Sequence, residues 1–223
     1  MSGGAIVQPQ SKAAVSEEQV VRYTFQERVI HWINGISYGY LLFTGLAIFT
    51  PYLAWMGTVM GGGGTIRYWH PWIGLVYLAT IIQMQRMWRS DMVTTDADRQ
   101  WSKNIEHYVK NEDDQMPPVG RFNAGQKQFF WVMFYGVLIL LVTGIVMWIP
   151  EKMPRSFHWV LPIMVFIHSA VALITIAAFM IHVYMSIWVT PGSMQGMVEG
   201  TVPSAWAKTH HRLWWQRITG RKN

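Results

Sequence analysis

Long apolar runs, separated by shorter polar ones, dominate this chain. Four segments have the length and apolar character of membrane-spanning helices: residues of about 29–50, 68–85, 128–149 and 157–190. Prolines punctuate them. Pro51 and Pro150 stop the first and third, Pro191 follows the fourth, and Pro71 is expected in the first turn of the second, where proline is tolerated. The fourth run exceeds what a bilayer needs, so it should tilt or project beyond the lipid. The pattern predicts an all-α, integral membrane four-helix bundle over residues 28–190, flanked by tails at 1–27 and 191–223.

Between the runs the sequence offers little independent structure. The loop of residues 86–127 is the largest polar segment. Within it, residues 98–111 predict a short amphipathic helix at the membrane surface, broken by Met116-Pro117-Pro118. The glycine run 61–64 predicts a flexible loop before the second span. Neither an internal repeat nor a separate domain is expected. The polar stretch 1–26 lacks the apolar core of a cleavable signal peptide.

Composition sharpens the class. Only 13% of residues are charged, against about 25% in a soluble domain, while 51% are hydrophobic. Thirteen Trp and nine Tyr suit the aromatic belts at headgroup level. Cysteine is absent, which excludes disulfides, cysteine-held iron–sulfur clusters and covalent c-type haem within the chain.

The net charge of +6 is a topology signal. Lys12, Arg22 and Arg28 lie in or beside the first tail; Arg86, Arg89, Arg99, Lys103, Lys110, Arg121 and Lys127 lie in the long loop. Lys208, Arg212, Arg217, Arg221 and Lys222 lie in the last tail, leaving only Arg67, Lys152 and Arg155 on the opposite side. The positive-inside rule therefore places both termini and the long loop in the cytoplasm. No nucleic-acid partner is needed to explain the charge.

Histidines carry the chemistry. His168 and His182 lie fourteen residues apart in a stretch, residues 156–198, that has no Lys, Arg, Asp or Glu. At 100° and 1.5 Å per residue they share a face to within about 40° and stand roughly 21 Å apart along the axis. The span directions put His70 and His168 toward the outer side, and His31 and His182 toward the cytoplasm. Each pair can supply bis-histidine axial ligation to a non-covalent b-type haem, giving two haems stacked across the bilayer. His158 lies roughly 80° off the His168 face and is expected at the interface. His107, His210 and His211 fall in charged segments and are expected to be solvated or to meet a partner.

Two readings stand for several neighbouring residues. Gly35, Gly39, Gly74, Gly136 and Gly144 suit close helix packing, and they equally leave room for a flat porphyrin. Arg28, Arg67, Arg86 and Arg155 suit headgroups or haem propionates.

Specific motifs add a family resemblance. They are Arg28-Val29-Ile30-His31-Trp32, His70-Pro71-Trp72-Ile73-Gly74, Phe122-Asn123-Ala124-Gly125-Gln126-Lys127, Leu141-Val142-Thr143-Gly144, Ile167-His168-Ser169-Ala170 and Ile181-His182-Val183-Tyr184-Met185. Gly196-Met197-Val198-Glu199-Gly200 and Trp206-Ala207-Lys208-Thr209-His210-His211 follow in the tail. With these motifs the chain resembles the gamma subunit of membrane-bound respiratory formate dehydrogenases, a di-haem cytochrome b. The resemblance implies the same ligand pairs, a place in the bacterial inner membrane, and partnership with an iron–sulfur beta subunit and a molybdenum or tungsten catalytic alpha subunit. It also implies quinone reduction near the cytoplasmic haem, in a pocket formed by Asn123, Gly125, Gln126 and His182. Taken alone, Asn123-Ala124-Gly125 reads equally as a turn or helix cap. Alternative readings are a cytochrome b subunit of a nickel–iron hydrogenase or another quinone-linked oxidoreductase, and, from a different class, a haem-free transporter or membrane scaffold.

Overall fold

The computed structural model describes residues 18–110 and 112–221. Most of the first tail, including Lys12 and most of the stretch read for a signal peptide, lies outside these residues, as do Asn111 and Lys222.

Strand β1 (Gln19–Val21) opens the described chain, and Thr24 then starts helix α1 (Phe25–Phe49) with a capping box. Its hydroxyl accepts from the Glu27 N–H at 3.3 Å, and the Glu27 carboxylate accepts from the Thr24 N–H at 2.8 Å. Pro51 ends α1 as expected, and the chain turns through the short helix α2 (Ala54–Val59). Gly61 and Gly62 adopt φ of +96° and +91°, which glycine alone holds without strain, and release the chain into α3 (Gly63–Trp88). Helix α3 thus begins earlier than hydropathy indicated: Gly63 and Gly64 form its first turn, and Pro71 lies in its interior. Proline there removes one helical hydrogen bond, and packing along α1 holds the weakened turn.

The long loop contains α4 (Asp96–Lys103) and α5 (Ile105–Val109), two short helices split at Asn104 where a single amphipathic one was expected. Asn123 caps α6 (Ala124–Trp148), and α7 (Val160–Tyr184) runs on through a π-helical turn, Met185–Val189. The C-terminal segment is folded: α8 (Ser193–Glu199), strand β2 (Thr201–Pro203), α9 (Ser204–His210) and α10 (Arg212–Thr219). Strand β2 pairs antiparallel with β1, Val20 opposite Val202, so the fold is mostly helical rather than all-α. Three-residue strands in polar tails leave no period for a sequence reading to find.

Helix α1 packs chiefly on α3, and α6 on α7, with α3 against α6 between the pairs. Tyr38, Tyr77, Ile81, Met133 and Val137 fill the middle. At Gly136 a methyl group would come within 2.7 Å of Thr175 Cγ2, so α6 and α7 meet there through glycine. Outward the polarity is inverted: Phe166, Ile174, Met180 and Ile181 on α7 are exposed, as suits a hydrocarbon solvent. Among the described residues three helices, Phe25–Phe49, Ala124–Trp148 and Val160–Val189, are long and apolar enough to cross a membrane. Helix α3 matches them in length but is more polar, with Arg67 and Arg86 near its ends.

A polar cap closes the end of the bundle where the two ends of the described chain meet. Glu27 accepts from Trp88 Nε1 at 2.6 Å and pairs with Arg121 at 2.7 Å, joining α1, α3 and the loop. Arg22 is buried, hydrogen-bonds the Arg121 carbonyl, and lies 4.6 Å from the Trp214 ring centroid. His211, expected to be solvated or to meet a partner, is only 2% exposed. Its Nδ1 donates to the Gly120 carbonyl at 2.9 Å, and its Nε2 accepts from Arg22 at 3.2 Å. Lys127 pairs with Asp98 at 2.7 Å and also donates to the Val93 carbonyl, both side chains nearly buried, fixing α4 on α6.

Two stability predictions follow from the cap. Lys127→Met should leave the Asp98 carboxylate buried without its cation and cost about 3 kcal/mol, read as a lower unfolding midpoint of the detergent-solubilised protein. Burial would raise the Asp98 pKa, but hydrogen bonds from Lys127 and Thr95 hold it below the usual carboxylate range. Its contribution is therefore present above about pH 4 and fades as pH falls through the folded value. His211 behaves oppositely. Burial, reinforced by the Arg22 charge, holds its pKa well below that of a free imidazole. The unfolded chain binds that proton first, so stability should fall as pH drops below about 6.5. His211→Gln, which retains an acceptor for Arg22, should flatten unfolding midpoints measured between pH 6.5 and 5; an unchanged slope would remove His211 as the source.

Candidate metal centres

Four half-buried histidines form two face-to-face pairs at opposite ends of the bundle. His31, two turns into α1, faces His182 in the last turn of α7, with ring centroids 6.3 Å apart. His70, two turns into α3, faces His168 in the N-terminal half of α7 at 6.5 Å. A metal–imidazole bond of about 2.0–2.1 Å and a centroid about 1.1 Å behind each nitrogen put two rings that share one metal about 6.3 Å apart. Both pairs match that spacing. The interplanar angles of 52° and 55° are compatible, because rings on a common axis rotate freely about it.

The surroundings suit a flat macrocycle. One turn beyond each histidine stands a small residue: Gly35, Gly74, Ala172 and Ser186. A methyl group at Gly35, Gly39 or Gly74 would meet nothing within 4 Å, so these glycines border open space. Gly136 and Gly144 instead lie close to Thr175 and His168, so close packing accounts for these two and not for the other three. Among the described residues no three His, Asp or Glu side chains converge as ligands for a bare ion. A porphyrin supplies four ligands itself and asks the protein only for an axial pair.

The two centres differ in what holds the rings. At the His70–His168 pair, His70 Nδ1 lies 2.7 Å from Thr44 Oγ1, and His168 Nδ1 lies 2.8 Å from Thr143 Oγ1. At the His31–His182 pair, His182 stacks on Phe129 at 4.3 Å, and His31 Nδ1 is buried with no hydrogen-bond partner among the described residues. Sequence reading missed both threonines, since a lone hydroxyl in an apolar helix raises no signal by itself. The paired Thr44-Gly45 and Thr143-Gly144 dipeptides are the signal that was there.

The remaining candidates fall elsewhere. Asn123 is buried and forms a capping box with Gln126: its Oδ1 accepts from the Gln126 N–H at 2.9 Å, and Gln126 Oε1 accepts from the Asn123 N–H at 3.1 Å. Trp101 covers Gly125, 3.1 Å from where a Cβ would stand. Trp101 and Tyr108 also line a cleft of about 480 Å³ with Met116, Val119, Lys208 and Arg212. His182 sits deeper, beside Phe129, roughly 9 Å along α6 from Asn123 by helix rise. Arg28 donates to the Val198 carbonyl, Arg67, Arg86 and Arg155 are exposed, and His158 is exposed just before α7, beside the Met153 carbonyl. His107 is half-buried and pairs with Glu112.

Comparison with known proteins identifies the family. The formate dehydrogenase cytochrome b556(fdo) subunit of Escherichia coli K12 is 36% identical over 202 residues, covering 90% of this chain and 94% of that protein. The nitrate-inducible formate dehydrogenase cytochrome b556(Fdn) subunit of the same organism is 33% identical over 90% of this chain and 92% of its own length. The formate dehydrogenase cytochrome b556 subunit of Haemophilus influenzae is 31% identical, over 92% and 87%. A family model described as prokaryotic cytochrome b561 matches residues 22–200, a stretch holding all four facing histidines, and the chain belongs to that family.

Proposed function

We propose that this chain is the membrane cytochrome b subunit of a respiratory formate dehydrogenase. It holds two non-covalent b-type haems, His70 and His168 at the outer centre and His31 and His182 at the inner one. The observation that carries this reading is the pair of imidazole spacings, 6.3 and 6.5 Å, at opposite ends of one apolar bundle. Identity of 31–36% to formate dehydrogenase cytochrome b556 subunits supports the complex. Membership in a cytochrome family sets aside the haem-free transporter and scaffold readings.

When bound, a b-type haem supplies a reversible one-electron carrier. The rest is the work of the chain. Its apolar helices exclude water, and its paired imidazoles hold the metal in fixed orientation. Helix α3 serves as the fourth span, packed along α1, whose Asn34 donates to the buried Thr80 hydroxyl at 2.9 Å. The polar cap and both termini lie on the cytoplasmic side of a bacterial inner membrane, a reading supported by the basic residues of the loop and tails. The outer centre then faces an iron–sulfur beta subunit, itself fed by a molybdenum or tungsten alpha subunit where formate is oxidised. Quinone is reduced near the inner centre, beside the cap, in a pocket bordered by Asn123, Gly125, Gln126 and His182. The cleft lined by Trp101 and Tyr108 gives this region an amphipathic wall.

Two measurements test this. The parent protein should carry about two haems per chain by pyridine haemochrome assay, with one lost in His70→Ala or His168→Ala and the other in His31→Ala or His182→Ala. Unchanged haem content in His168→Ala and His182→Ala would sink the assignment. Asn123→Ala should cost about 1 kcal/mol through the lost cap and leave both haems reducible by the physiological donor. Slowed quinone turnover with accumulating reduced haem would place Asn123 at the quinone; normal turnover in the folded variant would leave it a helix cap.

A further inference from the structure

Thr44 on α1 and Thr143 on α6 are built alike. Each is almost fully buried, at 0% and 3% exposure. Each lies within hydrogen-bond distance of the Nδ1 of an outer histidine on the adjacent helix, at 2.7 and 2.8 Å. Each hydroxyl also reaches back along its own helix at 2.8 Å, Thr44 to the Tyr40 carbonyl and Thr143 to the Ile139 carbonyl. And each is followed by glycine. A Cβ on Gly45 would stand 3.5 Å from His70 Cε1, and one on Gly144 would stand 3.4 Å from His168 Cε1. A longer side chain at either glycine would push the ring off its threonine.

The proton count fixes the direction of these bonds. A threonine hydroxyl carries one hydrogen, and a backbone carbonyl can only accept. With that hydrogen directed to the carbonyl four residues back, Oγ1 has lone pairs to offer, and His Nδ1 must be the donor. That leaves Nε2 with its lone pair free for a metal, on a ring whose centroid lies 6.5 Å from that of the opposite histidine. Were the hydroxyl to donate to Nδ1 instead, Nε2 would bear the proton and could bind no metal. Metal binding and hydrogen-bond geometry thus demand the same tautomer.

We propose that Thr44-Gly45 and Thr143-Gly144 are two copies of one histidine seat, in which the threonine is a positioning residue that locks the tautomer and strengthens the outer imidazoles as electron donors to iron. Accepting a hydrogen bond from Nδ1–H shifts electron density toward Nε2 and favours the oxidised, more positive metal. The seat is confined to the outer centre. At the inner centre His182 rests on Phe129, and His31 Nδ1 has no hydrogen-bond partner among the described residues. The assignment rests on the reading that His70 and His168 hold a haem.

The test is a redox titration of the purified holoprotein, followed through the haem absorption bands. The outer wave is identified as the one missing in His168→Ala. Thr44→Val and Thr143→Val preserve shape and remove the hydroxyl. Each should keep two haems and move the outer wave to higher potential. The oxidised-to-reduced ratio at a fixed potential should change about threefold to tenfold, tenfold being 59 mV for one electron. The inner wave should stay in place, and Thr44→Ser and Thr143→Ser should restore the outer one. If a valine variant loses the outer haem, retention by the matching serine variant supports the seat, and loss by both overturns it. An unmoved outer wave, or an equal shift of both waves, also overturns it. A parent protein lacking two haem waves would instead overturn the two-haem reading, a result separable from failure of the seat.

Discussion

An imidazole among apolar helices has two nitrogens to satisfy and little nearby to satisfy them with. A polar group buried without a partner costs several kcal/mol on the order of an apolar-solvent transfer. Four such rings in one bundle therefore constrain everything around them. Facing each other at metal-sharing distance, the rings would each satisfy one nitrogen on a bound metal. Thr44 and Thr143 answer for the second nitrogen of His70 and His168. Helix order, the small residues one turn beyond each histidine, and the close approach of α6 to α7 at Gly136 all serve that geometry.

The two ends of the bundle meet different needs. One is closed by ion pairs and caps in which a few side chains each act several times over. Glu27 completes its own helix start, receives Trp88 and binds Arg121. Asp98 caps α4 and neutralises Lys127. Buried pairs of this kind contribute little net stability over apolar packing, yet breaking one is costly, so they define one arrangement over others. The region proposed for quinone chemistry is thus built on a well-determined base. The Asn123–Gln126 capping box belongs to that base, whatever else those side chains touch.

Much of this could be read from residues alone, for identifiable reasons. The first, third and fourth long helices follow from uninterrupted apolar runs ended by Pro51, Pro150 and Pro191. Which histidines face one another follows from helix direction and rise, because antiparallel helices of similar length bring like depths together. The start of α3 was obscured because a glycine run and Pro71 resemble a loop and a first turn, while packing on α1 sustains helix through both. The burial of His211 was hidden by its charged neighbours; it follows from an N-terminal strand pairing with a segment nearly two hundred residues away, which no local pattern encodes. The threonine contacts were missed for a similar reason, since a hydroxyl gains meaning only from the helix beside it.

Both histidine pairs draw one member from α7. As the chain leaves the ribosome, α1, α3 and α6 can pack, yet neither histidine pair exists until the last long helix arrives. Thr143 on α6 waits for His168, and the β1–β2 pairing waits longer still for residues 201–203. A prosthetic group that needed both rings of a pair would therefore be captured only once α7 is in place. It would then tie the last long helix to α1 at one end and to α3 at the other. Binding only the finished bundle, it would stabilise that state by mass action, so that cofactor supply would double as a check that assembly has finished.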